Sequence, residues 1–138
     1  MLKKIVAIAF SVISLLYLWV VNSIPIFNGY SSSFEIYQKE NSSSAQIISV
    51  FQKNLWNYPL RYGEACVVEK DGFNAYAFLE SLDANLLGVE ESKIGTSYYA
   101  YSPKIKYCKQ IKDKKVNLHV FVGKDKIKVG SPLIFGSY

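Results

Sequence analysis

IVAIAFSVISLLYLWVV, residues 5–21, holds 17 residues without a charge and follows directly on Lys3 and Lys4. At about 1.5 Å of rise per residue it makes a helix of roughly 26 Å, close to the hydrocarbon thickness of about 30 Å. Lys3 and Lys4 are the only charges before Glu35. The positive-inside rule therefore keeps the N-terminus in the cytoplasm and sends the C-terminal side across. This reading divides the chain into a signal anchor or transmembrane helix over 1–23, a linker over 24–33 and an extracytoplasmic domain over 34–138. The linker assignment rests on NSIPIFNGYSSS, which is uncharged and contains Pro25, Gly29 and a serine run.

A secretory signal ends in small residues ahead of its cleavage site. The best match here is Val21-Asn22-Ser23, which is mediocre, and the apolar run closes on Tyr17, Leu18 and Trp19, residues suited to a membrane interface. An uncleaved anchor is the favoured reading, and release by cleavage near Ile24 is the alternative. The rest of the chain is long enough for one small domain. Its 15 Lys against the single Arg61, with 11 Tyr, is the composition of an AT-rich bacterial genome, which makes the expected location a single-pass protein of the inner (cytoplasmic) membrane with its domain in the periplasm or outside. In an oxidising compartment Cys66 and Cys108 are expected to form one disulfide. It would close a loop of about 42 residues and contribute about 4 kcal/mol in the chain-entropy picture.

Along the domain, Phe34–Gln38 alternates as a first strand. Asn41–Ser44 supplies cap residues, and Ile47, Ile48, Phe51 and Leu55 recur at helical spacing, predicting a helix over Ser44–Trp56. The β-branched run Ile47-Ile48-Ser49-Val50 argues for a strand instead. Ala65–Glu69 reads as a buried strand. Phe73, Tyr76, Leu79, Leu82 and Leu86 fall on one helical stripe between Asp71 and Gly88, predicting a second helix over Phe73–Leu87. Beyond Thr96 the pattern changes to short strands at 97–101, 104–111, 116–122, 126–129 and 133–136, with a hairpin turn at Gly123-Lys124-Asp125. The expected fold is α+β: about two helices packed on one face of a mostly antiparallel sheet of 4–6 strands.

Charge is uneven. Residues 30–92 carry a net −5 and residues 93–138 a net +8. Lys104, Lys106, Lys126 and Lys128 alternate with apolar neighbours, which places them on the solvent face of strands. Such lysines guard sheet edges against pairing; they also make a basic surface for an acidic partner or anionic lipid. Together with Tyr99 and Tyr101 they form the candidate partner-binding residues. His119 has no second histidine for a metal or a relay, and an ordinary half-buried role is expected for it. Glu80 and Asp83 read as a solvated helix face. No Gly-rich phosphate loop, GxSxG, HExxH or CxxC is present, so no catalytic, metal-binding or cofactor-binding residue is assigned. Lysine without arginine is a poor reader of bases, and nucleic acid is not an expected partner. The expectation is a membrane-anchored binding or accessory protein that engages another envelope protein, in an assembly or secretion machine or as an immunity or exclusion factor. The alternative is a secreted effector or inhibitor.

Overall fold

A computed structural model describes residues 1–39, 47–58, 60–136 and 138, with the side chains of residues 22 and 23 left aside. The N-terminal apolar run forms one helix, α1, Leu2–Ser23. Ser11 and Ser14 within it do not disturb it, because they donate back to the carbonyls of Ala7 and Phe10 at 2.9 and 2.8 Å. It ends at Ile24, which is extended (φ −74, ψ 126), as a residue preceding proline is driven to be. Residues 2–21 are long and apolar enough to cross a membrane, and none of that stretch is buried inside the molecule.

The domain is α+β, as expected. It consists of β1 (Ser33–Tyr37), β2 (Ile47–Phe51), a 3-10 turn (Gln52–Asn57), β3 (Gly63–Val68), α2 (Ala75–Ser81), β4 (Asn85–Ser92), β5 (Gly95–Tyr101), β6 (Lys109–Ile111), β7 (Lys114–Val116), β8 (Leu118–Gly123) and β9 (Ile127–Ser131). Among the described residues, seven strands make one sheet in the order β2-β1-β3-β9-β8-β5-β4, and β6 and β7 form a separate hairpin. Every pairing is antiparallel. The last strand, β9, lies at the centre of the sheet, between β3 and β8. The turn after Gly123 closes by Gly123 N–H donating to the Lys126 carbonyl at 2.9 Å, at the hairpin position read from the sequence.

Two helix expectations are corrected. Ile47–Phe51 is strand β2, paired along its whole length with β1 (Phe34↔Val50, Ile36↔Ile48), and among the described residues of that stretch helical geometry appears only as the 3-10 turn at Gln52–Asn57. The β-branched residues prevail because a neighbouring strand is there to receive them. The start of that predicted helix, residues 44–46, lies outside the described residues. The second helix covers only Ala75–Ser81 of the predicted Phe73–Leu87, and its cap is Asn74, whose side chain accepts from Ala77 N–H at 3.0 Å. Asp83 then turns with φ +50 and Ala84 N–H closes on the Leu79 carbonyl, so Asn85 onward joins β5 as an edge strand with a bulge between Leu86 and Gly88. Residues 104–108 are also not strand: Asn117 accepts from Ser102 N–H at 2.7 Å and donates to the carbonyls of Ser102 and Ile105, holding this segment as a loop. Residues 133–136 likewise form no strand.

Alternation along the strands separates two faces. Phe34, Ile36, Val50, Cys66, Val120, Ile127 and Val129 point into the main core with Leu55 from the 3-10 turn and Phe78 and Leu79 from α2. Phe27 closes this core, fully buried, with its ring 6.3 Å from that of Phe78. The segment expected as a linker thus supplies a core side chain, since Pro25-Ile26-Phe27 is as apolar as any strand in the domain. The opposite face is covered by the C-terminal tail: Phe135 lies edge-on to Tyr37 at 4.8 Å, and Tyr138 stacks on Phe121 at 4.3 Å.

Candidate functional site

The six candidate partner-binding residues do not share one surface. Lys128 is buried on β9, where its ammonium pairs with Glu35 at 2.7 Å, so its expected place on a solvent face is corrected. Alternation does place it off the main core, but the tail covers that second face as well. Tyr99 and Tyr101 are half-buried on β5. The Tyr99 hydroxyl donates to Glu90 at 3.1 Å and its ring stacks on His119 at 4.5 Å; burial and Glu90 push its pKa up to about 12. Lys104 is exposed and pairs with Asp83 at 2.7 Å. Lys106 is exposed at the same end of the sheet, where partial burial and Arg61 lower its pKa. Lys126 is exposed in the β8–β9 turn. Because Gly95 pairs with Gly123 and Ala100 with Leu118, Lys126 sits at the opposite end of the sheet from Tyr101, Lys104 and Lys106.

His119 is buried between β5, β9 and the tail. Its Nδ1 accepts from Ile134 N–H at 3.2 Å, so in the neutral ring Nε2 carries the proton and donates to Ser97 Oγ at 3.1 Å. Oriented this way, the ring cannot take a proton from Ser97, and its role is to tie the tail to the sheet. Burial lowers its pKa from 6.5 to about 4. A group whose folded pKa is depressed binds more protons when unfolded, so stability falls as pH drops through the window between these values. The expected loss from this group between pH 7 and pH 5 is about 2 kcal/mol. Glu64, whose pKa is raised, works in the opposite sense over the acid range. Comparison with His119→Gln isolates the histidine: in urea titrations of the detergent-solubilised chain, the variant's stability should decline less between those two pH values. Equal declines would show that His119 is not held neutral.

The expected disulfide is not formed. Cys66 is buried on β3 within the main core and Cys108 is exposed ahead of β6, so the two thiols occupy different environments. Burial pushes the Cys66 pKa up to about 12. Among the described residues, no group of three or more His, Cys, Asp or Glu side chains is placed to hold a metal ion.

Two features stand out at the ends of the sheet. At the end nearest α1, the buried Glu64 carboxylate accepts from the backbone N–H groups of Ile26 and, at 3.3 Å, Phe27. Arg61 lies 3.7 Å from Glu64 and donates to the Ile24 carbonyl at 3.2 Å. Desolvation raises the Glu64 pKa, and Arg61 and the two N–H donors oppose that rise. This junction ties the residues following α1 directly to the start of β3. Sequence reading missed it, although the chain's one Arg among so many Lys was its available trace. At the far end, Lys93, Lys124 and Lys126, with Asp125 between the last two, surround a shallow depression with exposed Ile94, floored by Phe121 and Tyr138. Lys70 also reaches this end, donating to the Lys124 carbonyl. Comparison with protein-family models, curated proteins and solved structures finds no match to this chain.

Proposed function

We propose that the chain is a single-pass anchored accessory protein of a bacterial inner membrane, with α1 in the bilayer and the α+β domain on the periplasmic or outer side holding another envelope protein. Lys3 and Lys4 ahead of an apolar helix none of which is buried in the domain support the anchor and its orientation. The observation that carries the binding role is the far end of the sheet. Val68 pairs with Ile127, so the basic tip lies at the opposite end of β3 from the Arg61–Glu64 junction. Five steps of about 3.3 Å along that strand separate the two ends by roughly 17 Å. The tip combines lysines with an exposed isoleucine that is 62% accessible. An apolar centre rimmed by three lysines and one aspartate, Asp125, keeps a basic excess that suits a protein surface with an apolar contact and acidic surroundings.

The test places a photo-crosslinking amino acid at Ile94 of the full chain in its native membrane. A discrete adduct is expected, reduced at least tenfold when Lys93, Lys124 and Lys126 are changed to Glu, a loss of about 1.4 kcal/mol or more in affinity. Reversal of Lys104 and Lys106, at the other end, should leave it unchanged. An adduct insensitive to the tip lysines, or none at all, would remove this surface from consideration. A mature N-terminus near Ile24 in mass spectrometry would instead favour the secreted effector.

A further inference from the structure

We propose that the domain itself enters the headgroup layer of the bilayer on its own side of the membrane, through Trp56 and Leu60. The inference rests on the reading of α1 as a membrane span and adds a second lipid contact to it. The connection after α1 has no slack: the Ile24 carbonyl is held by Arg61, and the N–H groups of Ile26 and Phe27 are held by Glu64. The base of the domain is therefore fixed within a few residues of the end of the helix.

Trp19 lies two residues from the end of the apolar run, about 3 Å along the axis, a depth at which tryptophans anchor spanning helices. Its ring stacks on that of Trp56 at 5.7 Å with an interplanar angle of 21°. Trp56 belongs to the 3-10 turn of the domain, so the stack sets a domain residue at the same depth as the helix anchor. The same turn buries Leu55 and leaves Trp56 55% exposed, and Leu60 just beyond it is 87% exposed. Water is a poor environment for a half-exposed indole stacked against an apolar helix and for an exposed leucine four residues further on, whereas the headgroup boundary suits them. Lys104 and Lys106, exposed on this end of the sheet, add attraction to anionic headgroups.

The chain contains two tryptophans, and they are the two partners of this stack. Each can therefore be followed alone in the full chain, reconstituted in phosphatidylcholine–phosphatidylglycerol vesicles containing lipids brominated on the acyl chain close to the headgroup. Trp56→Phe leaves Trp19 as the reporter of helix insertion, and Trp19→Phe leaves Trp56 as the reporter of the domain. Each emission is expected to fall to about half with these lipids, and less with lipids brominated near the chain terminus, the pattern of interfacial rings. Leu60→Asp should substantially relieve quenching of Trp56. Quenched Trp19 with unquenched Trp56 would overturn the contact while leaving the anchor standing; loss of quenching for both would remove the anchor as well. Quenching of Trp56 unchanged by Leu60→Asp would also overturn the assignment of this face.

Discussion

Arg61→Ala is expected to destabilise the domain by about 3–5 kcal/mol, the range seen when one partner of a buried ion pair is deleted. The Arg61 side chain is 1% exposed and that of Glu64 is fully buried, so the remaining carboxylate cannot recover its hydration. The penalty should depend on pH, with a definite sign. Desolvation already raises the Glu64 pKa, and Arg61 is the leading influence that lowers it. Without Arg61 the folded-state pKa rises further above the unfolded value, so the variant is least impaired where the folded protein can bind the proton and loses stability as pH rises through that folded value. Urea titrations of the detergent-solubilised chain at pH 5 and pH 8 should show the larger deficit at pH 8. Arg61→Ala combined with Glu64→Gln should recover part of the loss, because the amide removes the charge that has to be buried. A deficit below about 1 kcal/mol at both pH values would mean that the pair is hydrated and that α1 is joined to the domain by something other than this clamp.

The legible part of the fold was the part whose signal is local. Strands β1, β3, β5, β8 and β9 fall where alternation and β-branched residues put them, and the turn after Gly123 closes the expected hairpin. Where two local signals competed, the outcome depended on a partner that one-dimensional spacing does not show. Ile47-Ile48 went to strand because β1 was free to pair on that side, and Asn85–Gly88 left the helical stripe because β5 offered an edge. The same limit applied to the candidate residues. Alternation assigned Lys128 correctly to the side of the sheet away from the main core, but a residue outside one core can still be buried on the other side, here with its ammonium paired to Glu35. The Arg61–Glu64 clamp spans only three positions, yet its meaning comes from Ile24, Ile26 and Phe27, some 37 residues earlier.

Phe27→Ala carries the second large expected effect and separates a tethered domain from a clamped one. Truncating a fully buried phenylalanine costs about 3–5 kcal/mol, through lost transfer free energy and the cavity left behind. Phe27 is 0% exposed, its ring faces that of Phe78, and its backbone N–H is held by Glu64, so the site has little freedom to collapse. Were residues 24–33 a solvated linker, the same change would cost under about 0.5 kcal/mol, the range of ordinary surface substitutions. The expected result is therefore a marked drop in the urea midpoint with an unchanged slope, accompanied by protease cleavage between residues 24 and 33 that the parent chain resists. Tyr30→Ala is the matched control: its ring also contacts Phe78, edge-on at 5.1 Å, but it is 38% exposed and should cost clearly less. If both variants cost the same small amount, the peptide after α1 is not part of the core. The short, fixed connection that sets Trp56 beside Trp19 would then lose its support, because a domain on a loose tether has no reason to keep one face against the bilayer.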